Sequence, residues 1–207
     1  MELILERFYS GNEVESAQNK ILLEYLKRFT IEDILFEIEQ SQETCETVSS
    51  KNISQFSDIN MVDYVVQIVS DSVDEINYQY VGYMINKNAS PGAQTKYGEN
   101  HLKMAIQMGL VSEKPYKVTE LGALYLALSP EEKNNVKPKL FLRVPLIQKL
   151  LLESKSKKIN AMQELRECLS EKTAIRRRSN IRKLLDEISK ISSFETQKQI
   201  MDNIYWS

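Results

Sequence analysis

The chain has 207 residues, 42% of them hydrophobic, and a formal net charge of -2. This composition is typical of an ordinary globular protein with one large domain or two small ones. No apolar run approaches the roughly 20 residues of a membrane span, and the N-terminus lacks a signal-peptide pattern, so we expect a cytoplasmic protein without membrane contact. Cys45 and Cys168 show no CxxC pattern and no clustered histidines, which argues against a zinc site or a disulfide framework.

The small net charge conceals an asymmetry along the chain. Residues 1–86 hold 5 Lys and Arg against 16 Asp and Glu, whereas residues 87–207 hold 22 against 13. Blocks of like charge are usually solvated faces, but a basic half also provides the charge that contact with phosphates requires. The two halves are therefore interpreted separately.

The acidic half begins with helical periodicity. Residues 12–29 place five apolar side chains close to one helical face, namely Val14, Ile21, Leu22, Leu26 and Phe29. Thr30, three residues before Asp33, is a helix-start signal. We therefore predict an acidic helical segment over residues 1–50, which includes the start of a polar linker at 41–55.

Two further helices are predicted beyond the linker, in the stretches "DINMVDYVVQIVSDS" and "VDEINYQYVGYMINK". The first stretch contains the β-branched residues Val65, Val66 and Ile68, so a β-strand remains an alternative there. In the second, Ile76, Tyr80 and Tyr83 follow the spacing of a packed helical face.

A longer helix is predicted to follow the turn residues Ser90-Pro91-Gly92. One of its faces is apolar or small, with Gly98, Leu102, Ala105, Ile106 and Gly109. A glycine on this face predicts that the preceding helix crosses closely there. The opposite face carries amide and ammonium groups, which hydrogen-bond adenine edges and phosphates when a helix lies in a major groove. We therefore predict DNA contact for Gln94, Thr95, Lys96, Asn100, Lys103 and Gln107.

A small hairpin is predicted next, because Leu110-Val111 and Tyr116-Lys117-Val118 flank the turn-forming "SEKP". Two helices followed by such a hairpin give the order of a winged helix, whose wing can reach the phosphate backbone. Lys114 and Lys117 are the predicted phosphate contacts of this wing.

Four stretches, "YVGYMI", "AQTKYGENHLKMAIQMGLV", "YKVTELG" and "LFLRVPLIQKLL", resemble the winged-helix DNA-recognition modules of bacterial type II restriction endonucleases and related phage-defence proteins. The resemblance covers roughly residues 58–155. The later stretch "INAMQELRECLSEKTAIRRRSNIRKLLDEI" resembles the helix-turn-helix that follows in this family, where a Thr-Ala-x-Arg-Arg-x-Ser segment begins the helix that contacts DNA. Leu184-Leu185 stands where that family often has a tryptophan.

The second resemblance implies a second DNA-contacting helix near 173–187. Its apolar face is predicted to hold Ala174, Ile181, Leu184, Leu185 and Ile188. Arg177 points into that face, so we predict that it pairs with Glu164 or Glu167 of the preceding helix. Cations at a helix start oppose the helix dipole and favour an external anion. DNA contact is predicted for Lys172, Thr173, Arg176, Arg178, Ser179, Arg182 and Lys183.

Catalysis finds little support in the sequence. Asp33, Glu37 and Glu39 lack the adjacent lysine of a magnesium-dependent nuclease, and no phosphate-binding glycine loop or nucleophile motif is present. His101, the only histidine, is expected to have a partly buried structural role. We predict no catalytic residue, metal or cofactor, unless the chain is a fragment of a longer restriction endonuclease that carries its nuclease elsewhere.

The sequence therefore predicts a mainly α protein with small β-hairpin wings, in which tandem winged-helix or helix-turn-helix units follow an N-terminal helical segment. The expected divisions are 1–50, 51–137 and 138–207. Sequence-specific binding of double-stranded DNA, in a restriction-modification or phage-defence system, is the leading hypothesis. A transcriptional regulator and a protein-interaction scaffold without DNA binding remain open. The N-terminal helices are expected to form a homodimer or to bind a nuclease or methyltransferase subunit.

Overall fold

The computed structural model describes residues 2–40, 48, 53, 55–56, 58–73 and 75–207. Two units are distinguished by their internal contacts, one formed by Ser54–Pro130 and the other by Met1–Ile53 together with Glu131–Ser207. The three divisions expected from sequence differ from this arrangement, since the N-terminal helices share a unit with residues 131–207. Most of the predicted linker at 41–55 lies outside the described residues.

The described chain is mainly helical, in agreement with the expected fold class. In chain order the helices are α1 (Glu2–Tyr9), α2 (Asn19–Arg28), α3 (Ile31–Gln40), α4 (Met61–Asp71), α5 (Tyr78–Ile85), α6 (Pro91–Gln107), α7 (Glu120–Leu126), α8 (Pro130–Leu140), α9 (Pro145–Glu153), α10 (Ala161–Cys168), α11 (Glu171–Lys190) and α12 (Phe194–Asn203). Short 3₁₀ turns occupy Ser16–Gln18 and Phe141–Arg143, and the strands are β1 (Ile159–Asn160) and β2 (Ile204–Tyr205). No helix in the described ranges has both the length and the apolar content needed to cross a membrane.

The N-terminal helices form part of a core within their unit. Leu5, Leu22, Leu26 and Ile34 are fully buried, and α1 and α3 contact the 3₁₀ turn at 141–143 and α9 respectively. The predicted start of α3 is confirmed, because Asp33 N donates to Thr30 Oγ1 and Thr30 N donates to Asp33 Oδ2. These apolar faces are therefore used inside the chain.

The apolar face predicted for residues 12–29 is only partly confirmed, because Val14 and Phe29 lie outside α2. Ile21 is exposed, whereas Leu23 is buried. The helix begins only at Asn19, after a 3₁₀ turn. Leu22, Leu23 and Leu26 then form the buried face, so Ile21 is rotated towards solvent.

A buried lysine connects α2 to α8. Lys139 Nζ donates to Leu26 O and to Asn135 Oδ1, both at 2.8 Å, and Asn135 Nδ2 donates to Lys27 O at 2.9 Å. Burial lowers the pKa of Lys139 to about 8, although the charge of Asp33 opposes this shift. The side chain thus binds a backbone carbonyl at the C-terminal end of α2 at the cost of burying an ammonium group.

The lowered pKa of Lys139 makes the stability of this unit depend on pH. Between about pH 8 and 10.5 the unfolded state binds more protons at this residue than the folded state, so its contribution to stability rises with pH. We expect the wild-type free energy of unfolding to rise relative to that of Lys139→Met by up to about 1.4 kcal/mol per pH unit in this window. Urea titrations of both proteins across the window measure the difference, and parallel pH profiles would contradict it.

The unit formed by Ser54–Pro130 contains α4, α5, α6 and α7. Residues 61–71 are a helix, so the strand alternative is wrong; Val62, Val65, Val66, Ile68 and Val69 are buried on one side of it. Tyr125 of α7 donates a 2.6 Å hydrogen bond to Asp63 of α4. Burial, together with the Asp63 carboxylate, raises the pKa of the Tyr125 hydroxyl.

The predicted close crossing of α5 and α6 is confirmed. An added Cβ at Gly98 would lie 1.8 Å from Tyr78 O, and one at Gly82 would lie 1.7 Å from Gln94 O. No side chain fits between these backbones. The crossing therefore fixes α6 against α5 and determines which face of α6 is exposed to solvent.

The predicted hairpin after α6 is present as one antiparallel bridge between Val111 and Val118. Ser112 N donates to Lys117 O at 2.8 Å, and Thr119 N donates to Leu110 O at 3.1 Å. The strands of the other unit are arranged differently. There β1 and β2 run parallel, with Ile159 opposite Ile204, so they do not form a wing.

Candidate nucleic-acid interface

The first candidate surface is carried by α11, which follows α10 after a short turn. Asn160 begins α10 by accepting hydrogen bonds from the backbone N–H groups of Met162 and Gln163. Across the turn, Arg166 binds both carboxylate oxygens of Glu171, at 2.7 and 3.1 Å. These hydrogen bonds lower the pKa of Glu171 and hold the start of α11 against the end of α10.

The predicted apolar face of α11 is confirmed. Its buried residues include Ala174, Ile181, Leu184, Leu185 and Ile188. Asn180 is also buried, which the apolar pattern did not predict. Because this face lies against the unit, the orientation of α11 follows from its sequence periodicity.

The opposite face of α11 is basic and exposed. The α11 basic face is defined here as Lys172, Arg176, Ser179, Arg182 and Lys183, all of which are exposed. Two other residues predicted to contact DNA, Thr173 and Arg178, are half-buried at its margins. The structure thus brings these seven residues onto one surface of one helix.

Three cations of this face differ in their partners from the lysines and arginines of the described ranges that form ion pairs, such as Lys149 and Arg166. Within the described ranges, no carboxylate forms an ion pair with Lys172, Arg176 or Arg182. Arg176 Nη2 makes one long contact of 3.5 Å to Thr173 Oγ1. Mutual repulsion, together with the positive end of the helix dipole near Lys172 and Arg176, favours an anion at this surface.

Arg177 lies on the other side of α11 and is half-buried, as the helical wheel predicted. Glu164, one of its two predicted partners, contacts Lys149 Nζ. The pairing of Arg177 with Glu164 or Glu167 stays a prediction. The three consecutive arginines nevertheless differ in exposure, since Arg176 is exposed and Arg177 and Arg178 are half-buried.

Two residues beside the α11 basic face were missed as site residues. Trp206 lies under Arg182, with the guanidinium carbon 5.8 Å from the ring centroid. The pairing of β2 with β1 positions this C-terminal segment, and no local sequence pattern predicts that pairing. Ile175 is exposed among the cations, and its position three residues after Lys172 and four before Ser179 was the signal that could have identified it.

The second candidate surface is the polar face of α6. Lys96 and Lys103 are exposed, and both bind Glu99, at 3.0 and 2.8 Å. Hydrogen bonds from Lys103 and Lys96 lower the pKa of Glu99. A phosphate would have to compete with this carboxylate, so we expect α6 to bind anions more weakly than the α11 basic face.

The other predicted residues of α6 differ in exposure. Thr95 is exposed and donates to Pro91 O, whereas Asn100 and Gln107 are half-buried. Gln94 is only 6% exposed, and its side chain donates to Asn86 O and Lys87 O, so the predicted DNA contact at Gln94 is corrected to a structural role. Its spacing of four residues from Gly98 places it on the α5-facing side.

A shallow pocket of about 300 Å³ lies beside α6, lined by Gln55, Phe56, Ala93, Lys96, Tyr97, Asn100 and His101. His101 is buried, and its Nδ1 lies 2.8 Å from Tyr97 O. Burial lowers the pKa of His101 below its ordinary value. His101 is thus more completely buried than expected, and its structural role stays a prediction.

The turn after α6 exposes Lys114 and Lys117, the two predicted wing contacts. Ser112 Oγ donates to Pro115 O at 2.8 Å and accepts from Lys117 N at 3.1 Å, which closes the turn. Tyr116 packs against Tyr78 of α5 with ring centroids 5.6 Å apart. The turn is thereby held against the same unit as α6, with its lysines outward.

The described residues contain no group of three or more His, Cys, Asp and Glu side chains that could hold a metal ion. Cys168 is a free, half-buried thiol, and Cys45 lies outside the described residues.

Comparison of the chain with known protein families, curated proteins and solved structures found no match.

Proposed function

We propose that the chain binds double-stranded DNA, with the α11 basic face as its principal contact and α6 with the turn lysines as a second one. The observation that carries the proposal is the set of exposed cations on α11, which follows α10 after a short turn. On this proposal the two helices act as a helix-turn-helix, in which the second helix enters a major groove while arginine and lysine bind the adjacent phosphates.

The biological setting proposed for this binding is a bacterial restriction-modification or phage-defence system, in which the chain serves as the recognition module or a subunit. The sequence resemblance over residues 58–155 and the retained Thr173, Ala174, Arg176, Arg177 and Ser179 support this setting. On this proposal the two units act as winged-helix or helix-turn-helix modules in the cytoplasm, and no catalytic step is assigned to them.

A scaffold function is the second candidate, because α12 exposes Phe194 and Met201 at a spacing of seven residues. Exposed apolar side chains on one helical face suit a protein partner. Such a partner would bind independently of salt, whereas contact with phosphates weakens as salt rises.

Binding to a randomised duplex pool tests the proposed function. We expect the purified chain to retain one motif, and log affinity to fall linearly with log salt by about 0.9 for each phosphate contacted. The measurement is fluorescence anisotropy on the retained duplex over a salt series. Failure to retain any duplex at low salt would refute DNA binding and leave the scaffold function.

A further inference from the structure

One exposed apolar side chain interrupts the cations of α11. Ile175 is 57% exposed, and it lies in the second turn of the helix, which begins at Glu171. Single exposed apolar residues are common on protein surfaces and need no explanation by themselves. The position of this one is distinctive, because it lies in the part of a second helix that contacts base edges in helix-turn-helix proteins.

The neighbours of Ile175 are polar on every exposed side. On a helix, residues three or four apart lie side by side. Glu171 and Lys172 precede Ile175 by four and three residues, Arg178 and Ser179 follow it by three and four, and Arg182 follows by seven. All five are exposed or half-buried, and three of them are cations. Ile175 therefore lies within the basic surface instead of extending the buried face.

The side chains of this surface differ in length and polarity, so they suit two different kinds of contact with DNA. Lysine and arginine reach outward and suit the phosphates along the groove edges. Isoleucine is short and apolar, and it gains nothing next to a phosphate. The apolar feature of a major groove is the C5-methyl group of a pyrimidine.

We propose that Ile175 contacts a pyrimidine C5-methyl group in the major groove, an inference that rests on the DNA binding proposed above. Two bases present this group, thymine and 5-methylcytosine. Contact with either one makes the affinity depend on a methyl group, and the surrounding cations contribute affinity that does not depend on it.

Base analogues test this contact without changing any hydrogen-bonding edge. Within the motif retained from the pool, each thymine is replaced in turn by deoxyuridine, which removes the methyl, and each cytosine by 5-methylcytosine, which adds it. We expect one thymine replacement to weaken wild-type binding about fourfold, or one cytosine methylation to strengthen it about fourfold, the effect of burying one methyl group. The first result identifies thymine as the base whose methyl group is contacted, and the second identifies 5-methylcytosine.

Three variants assign the effect to Ile175. Ile175→Ser should lose the methyl dependence, Ile175→Val should keep it, and Ile21→Ser, which changes an exposed isoleucine of α2, should behave as the wild type. Thermal unfolding checks that all three are folded. If the wild-type protein binds its motif with an affinity that no pyrimidine methyl group changes, the inference is overturned and the proposed DNA binding stands. The same conclusion follows if Ile175→Ser keeps the methyl dependence. Absence of binding to any duplex overturns both proposals.

Discussion

Replacing Arg176 and Arg182 together by glutamine is expected to weaken duplex binding roughly 50-fold at 0.1 M salt. Each arginine that contacts a phosphate releases condensed counterions, so losing two contacts should also reduce the slope of log affinity against log salt by about 1.8. Both residues are exposed, and no carboxylate within the described ranges pairs with either of them. The two effects are measured together by anisotropy over a salt series.

A matched variant separates local contact from total charge. Lys20→Gln combined with Arg28→Gln also removes two exposed positive charges, from α2 of the same unit. Only a weak, long-range loss of affinity is expected for it, since exposed charges beyond about 10 Å are largely screened at 0.1 M salt. Equal losses from the two pairs would show that net charge, rather than the α11 basic face, governs binding.

The α6 lysines provide a comparison within the proposed interface. Lys96→Gln with Lys103→Gln should cost less affinity than the α11 pair, because in the free protein both lysines already bind Glu99. The loss of these hydrogen bonds would offset part of the binding free energy gained from any phosphate contact that the two lysines make.

The features predicted correctly from sequence are those that local periodicity determines. The buried face of α11, the Thr30–Asp33 helix start and the small residue at the α5–α6 crossing each depend on residues within one or two helical turns. The same periodicity places the α11 basic face on the solvent-exposed side of the helix. Most of the candidate site could therefore be located before the structure.

The errors arose where a side chain or helix depends on distant parts of the chain. Gln94 is polar and was predicted to face DNA, but its amide binds carbonyls of the loop before α6. The N-terminal helices join residues 131–207 through contacts such as Tyr9 Oη to Lys139 O, across 130 residues. Trp206 comes beside Arg182 through the pairing of β1 with β2. None of these contacts leaves a periodic signal.

The α5–α6 crossing should be the most sensitive point of the unit that carries α6. Gly98→Ala is expected to lower the free energy of unfolding by about 3 kcal/mol or more, because the new Cβ would lie 1.8 Å from the backbone oxygen of Tyr78. A backbone carbonyl cannot move aside as a flexible side chain can, so the helices must separate. Urea denaturation followed by circular dichroism measures the loss, and faster amide exchange in α5 and α6 locates it.

Gly92→Ala is the matched control for this substitution, since it makes the same chemical change in the first turn of the same helix. No atom lies within 4 Å of the Cβ it would add. We expect Gly92→Ala to be neutral or to stabilise the protein by about 0.5 kcal/mol, because alanine restricts the unfolded chain more than glycine does. A Gly98→Ala protein as stable as the Gly92→Ala protein would contradict the close crossing, and with it the argument that the crossing fixes the outward face of α6.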